Sequence, residues 1–225
     1  IVVNDSAGVP LSSTPVGQWL RLTAVLLADN WSPRDLLACF KHPYAALGRS
    51  PAQCRDTIRV LELVLLRGPR PAPGIAALVT ALDHLDAQTG EHSAEEAAAI
   101  ARSRHFLQDL QAAREAIEPD ATDETDERLG QGAVPDLVER HLAFAEALAT
   151  TPEDTGASRL WRREDGEAAA AFLGELAMVG HGFPAMAWRD YADFITGLMA
   201  GRVVRPKQQA HPRLTILGLL EARLV

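Results

Sequence analysis

The sequence predicts a mainly α-helical protein with a short β segment at each end. Apolar residues recur at helical spacing through most of the interior, and three segments begin with a serine typical of a helix N-cap. The chain begins with β-branched Ile1, Val2 and Val3, which are followed by the turn-like stretch NDSAG. Near the C-terminus, RLTILG has the pattern of a short buried strand. The chain has 225 residues, 47% of them hydrophobic, and can therefore bury a substantial core.

The serine-led segments are SPRD at Ser32, SPAQ at Ser50 and SAEE at Ser93. In each, the serine side chain can accept a hydrogen bond from a backbone N–H in the first turn of the helix. The acid or amide side chain three residues later can in turn accept a bond from the backbone N–H of the serine. Proline follows the serine in the first two, at a position where no backbone N–H is needed. Together with the apolar spacing, these signals predict helices near 15–29, 33–40, 51–66, 75–87, 94–117, 135–149, 166–179 and 187–200. Trp19, Trp188, Tyr191 and Phe194 lie at core positions of this pattern, and on the helix near 135–149 the predicted core face is Val138, Leu142 and Ala145.

Three segments between these helices are predicted loops. RGPRPAPG (67–74) contains three prolines and should form an extended, stiff connection. EPDATDETDE (118–127) has six acids in ten residues and is typical of a solvated loop. TTPEDTGAS (150–158) is the third.

Composition limits the classes of partner. The net charge of −8 argues against a surface that coats nucleic acid, although it leaves room for a local basic patch. No apolar stretch is long enough for a membrane helix, so we expect no membrane partner. The two cysteines, Cys39 and Cys54, suit a reducing compartment better than a disulfide framework, and we expect a cytoplasmic protein.

The sequence contains no recognisable catalytic constellation. Neither Lys41 nor Lys207 lies in a phosphate-binding glycine-rich loop, and the Glu-x-Lys pattern common in metal-dependent nucleases does not occur. His84 and His92 have acids nearby but lack the spacing of a helical zinc motif. We therefore expect no catalytic residue, no cofactor and no metal.

Basic residues gather in three places: Arg67 with Arg70, Arg159 with Arg162 and Arg163, and Arg202 with Arg205 and Lys207. Loops on a rigid scaffold often carry contacts to a DNA backbone, but these side chains can equally be ordinary surface charges that offset the many acids. Trp161 is the one aromatic residue flanked by arginines, which makes it the best base-stacking candidate. The candidate DNA contacts are Arg67, Arg70, Trp161, Arg162, Arg163, Arg202, Arg205 and Lys207.

Four stretches resemble a known family. NDSAGVPLSSTPVGQWLRL, WSPRDLLACFKHPYAALG, LRGPRPAPG and HPRLTILGLLEARLV are similar to the AddB subunit of bacterial AddAB helicase–nucleases, in the alphaproteobacterial branch described as an inactivated superfamily I helicase. The resemblance is clearest over 4–48, 66–74 and 211–224. These strings are typical of the family but are not catalytic motifs.

The resemblance implies a fold and a division of the chain. It implies a helical 2B-like insertion (31–205) bracketed by short β segments of a truncated RecA-like (2A) domain: a strand plus helix over 1–30, and a returning strand and motif over 206–225. On this interpretation residues 1 and 225 are cut edges within a longer chain. Active relatives have Lys before Gly-Leu-Glu, whereas this chain reads LGLLEAR, so the resemblance assigns no ATPase role to Glu221 or Arg223.

Two functions follow as expectations. The resemblance implies a non-catalytic, helicase-like scaffold that guides DNA within a double-strand-break repair complex, with an AddA-like helicase–nuclease subunit and DNA as partners. The alternative is an all-helical protein–protein interaction module without DNA contact. The net negative charge and the acidic segment 118–127 favour the alternative.

Overall fold

The structure is a computed structural model that describes residues 2–5, 8–29, 31–69, 71–89, 93–117, 131–205, 210–216 and 223. Most of these residues are helical, and the strands are short. The predicted mainly α class is therefore confirmed. In the described part of the chain, no helix has both the length and the apolar character needed to cross a membrane.

The helices agree with the sequence prediction to within three residues at each end, apart from one that was not predicted. The prediction for 51–66 is met by a helix that continues as a π-helical turn, Glu62–Leu66. The unpredicted helix is α7, and it begins inside the segment 150–158 that we expected to be a loop, so that expectation is wrong at its C-terminal end. The helices are α1 Pro15–Ala28, α2 Pro33–Phe40, α3 Pro51–Leu61, α4 Ile75–Thr89, α5 Ala94–Glu115, α6 Val134–Ala149, α7 Gly156–Leu160, α8 Arg163–Val179 and α9 Trp188–Ala200.

The three predicted serine caps are confirmed. Ser50 and Ser93 form complete capping boxes with the residues three positions later. The Ser32 hydroxyl accepts a bond from the Asp35 N–H at 3.3 Å and donates to the Asp35 carboxylate at 2.6 Å. These local bonds satisfy amide groups that a helix start otherwise leaves free, and they explain why the helix starts could be predicted.

The strands form three two-stranded pairs among the described residues. The strands are β1 Val2–Asp5, β2 Val9–Pro10, β3 Gln131–Gly132, β4 Met186–Ala187, β5 Val203–Val204 and β6 Ala210–Ile216. β2 pairs with β5 and β3 pairs with β4, both antiparallel, whereas β1 pairs with β6 in parallel, with Asn4 opposite Thr215. We expected a turn at Asn4 and Asp5, and that is wrong, because β1 includes both residues.

The core is organised around α1, which packs against α2, α6, α8 and α9. Trp19 of α1 is fully buried, as is Tyr191 of α9, and Trp188 is 6% exposed, which confirms the predicted core role of these three. Phe194 is only half-buried and packs against the edge of the core. α1 lies in the first of the three segments proposed from the sequence, yet it shares one hydrophobic core with the helices of the second. The proposed boundary near residue 30 stays a prediction.

The buried face of α6 differs from the predicted one at a single position. Val138 and Ala145 are buried as expected, but Leu142 is only half-buried. Its expected place is taken by His141, which is fully buried. The helix is therefore rotated slightly from the predicted orientation, and this leaves Leu142 beside a surface groove.

Candidate nucleic-acid interface

The C-terminal end of α6 is covered by a loop from a distant part of the chain, residues 42–49. The Leu148 carbonyl accepts bonds from the N–H groups of Ala46 and Leu47, both at 2.9 Å. Gly48 follows with a φ of 74°, a left-handed conformation that glycine adopts without steric cost. Because a helix end leaves its last carbonyls without partners, these bonds hold the loop on α6.

Arg159 of α7 joins the same loop to the end of α6. Its guanidinium donates to the Ala149 carbonyl, to the Tyr44 carbonyl at 3.0 Å and to the Pro43 carbonyl at 3.4 Å. A cation at a helix C-terminus is favoured by the helix dipole. Arg159 therefore has mainly a structural role, because its N–H groups already donate to backbone carbonyl oxygens.

α7 lies directly against the backbone of α6. A Cβ atom at Gly156, the first residue of α7, would lie 1.8 Å from the Glu146 carbonyl oxygen, so only glycine permits this approach. The Thr155 hydroxyl caps the short helix by accepting from the Ser158 N–H at 3.2 Å. This close packing determines the position of the arginines that follow α7.

Arg162 and Arg163 occupy the corner between α7 and α8, and both are exposed. Arg162 donates to the Asp154 carboxylate at 3.1 Å. Arg163 adopts a φ of 65°, unusual for a residue with a side chain, and its guanidinium forms no hydrogen bond or ion pair within the described ranges. Of the two, Arg163 is the more available to a phosphate.

Several charges converge on the side chain of Tyr44. The Arg159 guanidinium lies 6.0 Å from the centre of the Tyr44 ring. Burial raises the pKa of Tyr44, and the charge of Asp165 raises it further, whereas the charges of Arg163 and Arg159 oppose the rise. Both arginines therefore act on the half-buried ring.

Arg55 lies on α3, next to the buried Cys54. Burial raises the pKa of the Cys54 thiol to about 11, and the charges of Arg49, Arg55 and Arg159 oppose that rise. Arg49 is paired with Asp109 at 2.5 Å, but the exposed Arg55 has no ion pair among the residues that the structure describes. We call the region formed by Tyr44, Arg159, Arg162 and Arg163 the Tyr44 surface.

The sequence pointed to only part of this surface. Arg162 and Arg163 are among the predicted DNA contacts, whereas Tyr44 is not. The sequence shows the arginines of the segment 159–163, but their proximity to Tyr44 depends on tertiary packing. Sequence spacing does not reveal it.

Trp161 has a structural role in addition to its predicted one. Its indole N–H donates to the Glu146 carboxylate at 2.7 Å, and its half-buried ring packs against the core. The side chain therefore connects α7 to α6. Base stacking by Trp161 stays a prediction.

Two of the other predicted arginines, Arg67 and Arg202, lie elsewhere and are paired with carboxylates. Arg67 follows the π-helical turn and lies 3.5 Å from Glu62, whose carboxylate also binds Lys41 at 2.9 Å. The hydrogen bond from Lys41 lowers the pKa of Glu62, which keeps this carboxylate charged. The turn packs on α3 and α4, away from α8. Arg70 lies outside the described residues.

The third predicted group is held against α8. The Arg202 guanidinium bonds to the Glu175 carboxylate and lies 5.8 Å from the centre of the Phe172 ring. Arg205 is exposed, and Lys207 lies outside the described residues. Among the described members of the three predicted basic groups, Arg67 is therefore held at α3, Arg202 at α8, and Arg162 and Arg163 at the corner between α7 and α8.

Metal-ligating side chains do not cluster in the described part of the chain. No group of three or more His, Cys, Asp or Glu side chains there could hold a metal ion. Asp83 and Asp86, which we considered beside His84, instead accept bonds from Arg104 at 2.8 and 3.1 Å. His92 lies outside the described residues.

Comparison with known proteins identified no relative. No protein-family model, no curated protein and no solved structure matches the chain. Function is therefore inferred from the residues and geometry of the chain itself.

Proposed function

We propose that this chain is a non-catalytic, helicase-like scaffold that guides DNA in a double-strand-break repair complex of the AddAB type. Its partner would be an AddA-like helicase–nuclease subunit, which would supply ATP hydrolysis and DNA cleavage in the cytoplasm. The observation that carries the proposal is the parallel pairing of β1 with β6.

Parallel neighbouring strands require a crossover connection, because the chain must return to the same end of the sheet. Here the connection between β1 and β6 contains α1 to α9. A RecA-like domain with a helical insertion, which this chain resembles, has one strand before the insertion and one after it. The order of β1, the helices and β6 agrees with that arrangement. The long helical crossover therefore supports the proposal.

The Tyr44 surface is the region best suited to contact a DNA strand. Arg163 of this surface, and also Arg55 on α3, are exposed and lack carboxylate partners among the described residues, so a phosphate would not have to displace an existing ion pair. At Arg67 and Arg202 a phosphate would compete with Glu62 and Glu175. We therefore assign Arg55 and Arg163 as phosphate contacts and keep Arg67 and Arg202 as weaker candidates.

Binding of a fluorescent single-stranded oligonucleotide, measured by anisotropy across a salt series, tests the proposal. Each phosphate contact contributes about 0.7 to the slope of log K against log salt for a single strand. We expect the double variant Arg55→Gln/Arg163→Gln to bind more weakly at low salt and to lose about 1.4 from that slope, one increment for each contact.

Arg189→Gln is the matched control for this experiment. Arg189 is exposed in the first turn of α9, beside β4 and away from α7, and it has no ion pair in the described ranges. The control should bind like the wild type. An equal loss of affinity in the control and the double variant would refute the assignment of the Tyr44 surface.

The alternative function is a protein–protein interaction module without DNA contact. The net charge of −8 and an apolar groove between α6 and α8 favour it. Absence of oligonucleotide binding even at low salt would support this alternative and contradict the DNA-guiding role.

A further inference from the structure

A groove of about 540 Å³ runs along the surface between α6 and α8. Val138 and Leu142 line it on the α6 side, and Ala170, Leu173 and Gly174 line it on the α8 side. Its volume lies within the range of about 300–1,000 Å³ that is typical of binding pockets. The groove is therefore large enough to take several apolar side chains.

The α8 side of the groove offers little steric hindrance. Ala170, Gly174 and Ala177 follow one another at helical spacing, and a Cβ atom added at Gly174 would meet nothing within 4 Å. Small residues allow another backbone to approach closely. Two packed helices with such a shallow apolar channel between them form the kind of surface that accepts a third, amphipathic helix.

The charges at the groove have one sign. Among the described residues that line it, the charged ones are Glu139 and Glu146, both acidic. Glu146 is held in place by the indole N–H of Trp161, which donates to its carboxylate at 2.7 Å.

We propose that this groove binds a basic amphipathic helix of a partner protein. The apolar face of that helix would fill the channel, and its flanking Lys or Arg side chains would pair with Glu139 and Glu146. Complementary charge of this kind increases the association rate and selects the partner. The net charge of −8 acts in the same direction. The inference does not require the proposed DNA-guiding function.

The test uses two synthetic peptides of about eighteen residues, or five helical turns. Both carry leucines at the positions i, i+3, i+4 and i+7, and they differ only in their flanking residues, lysine in one and glutamate in the other. Anisotropy of the labelled peptides with the full chain measures affinity. We expect the lysine peptide to bind at least about tenfold more tightly than the glutamate peptide.

Gly174→Leu should block the groove while the protein still folds. The new side chain would extend into open space, and leucine favours a helix more than glycine does, so the melting temperature should stay the same or rise. Affinity for the lysine peptide should fall at least about tenfold. Gly197→Leu is the matched control, because Gly197 is also exposed and unhindered but lies on α9 outside the groove.

Glu139→Lys tests the contribution of charge. This variant should weaken binding of the lysine peptide and strengthen binding of the glutamate peptide. Equal affinity for the two peptides, or an equal effect of Gly174→Leu and Gly197→Leu, would overturn the proposal. Self-association of the wild type that Gly174→Leu abolishes, seen by analytical ultracentrifugation, would also overturn it, because the occupant would then be a second copy of this chain.

Discussion

At the scale of single residues, a buried polar group links three helices. His141 of α6 lies between the Thr23 hydroxyl of α1, 2.8 Å from Nε2, and the Tyr191 hydroxyl of α9, 3.1 Å from Nδ1. The Thr23 hydroxyl lies 3.0 Å from the Trp19 carbonyl and donates to it, which leaves an oxygen lone pair for the N–H on Nε2. Nδ1 then accepts from Tyr191. Every hydrogen-bonding atom of the imidazole is satisfied in the neutral form.

This neutral histidine makes stability depend on pH. Burial lowers the pKa of both His141 and His42 from 6.5 to about 4. Between these pH values the unfolded chain binds more protons than the folded one, so the free energy of unfolding falls as the pH decreases. The stability is fully present above about pH 6.5. By urea unfolding, we expect a loss of about 2 kcal/mol per histidine between pH 7 and pH 5.

His42→Phe distinguishes the two contributions. The ring of His42 lies 5.3 Å from that of Trp19 and 5.6 Å from that of Tyr44, and phenylalanine keeps an aromatic ring in that position. We expect the variant to lose about half of the difference in stability between pH 7 and pH 5, since only His141 remains. Equal unfolding free energies of the wild type at the two pH values would show that these histidines are not buried in the neutral form.

At the scale of elements, the contact of α7 with α6 depends on one glycine. Alanine at Gly156 would place a methyl group 1.8 Å from a backbone oxygen of α6, and neither helix can move without breaking the bonds of Arg159. We expect Gly156→Ala to cost about 1–3 kcal/mol in urea unfolding, as overpacked sites do. Gly174→Ala, in open space on α8, should instead stabilise by up to about 1 kcal/mol. Equal effects at the two positions would contradict the close approach of α7 to α6.

The helix boundaries show how far local signals extend. The starts at Ser32, Ser50 and Ser93 were predictable because each cap involves residues within one turn. α7 was not predicted, because its five residues are too few for a periodic pattern. Its position depends on contacts with α6 and with the loop 42–49, which no local pattern contains.

At the scale of the whole molecule, α1 belongs to the same core as the other helices. Its side chains are buried against α6 and α9, and the indole N–H of Trp19 donates to the Ala145 carbonyl at 3.1 Å. We expect amide hydrogen exchange to give α1, α6 and α9 the same free energy of opening, because residues in one cooperative core open together. Markedly faster exchange throughout α1 would instead make residue 30 a boundary between folding units.

The candidate site was only partly accessible to sequence reasoning. Arg162 and Arg163 are exposed, and their role as DNA contacts stays a prediction, but Tyr44 reaches the same region from a part of the chain more than one hundred residues away. Arg159 was grouped with these arginines from the sequence, yet its main partners are the carbonyls of Pro43, Tyr44 and Ala149. Both the position of Tyr44 beside these arginines and the carbonyl partners of Arg159 depend on packing between distant parts of the chain.

The amino-acid sequence by itself determined the mainly helical class, the helix starts and the core role of the large aromatic residues. These properties depend on spacing and on capping bonds within a few residues. Only the tertiary structure decided which arginines are free. Arg49 is paired with Asp109, sixty positions away, and Arg202 with Glu175, twenty-seven positions away. The charge of an arginine is known from its identity, but its availability to a ligand depends on which carboxylates the fold brings beside it.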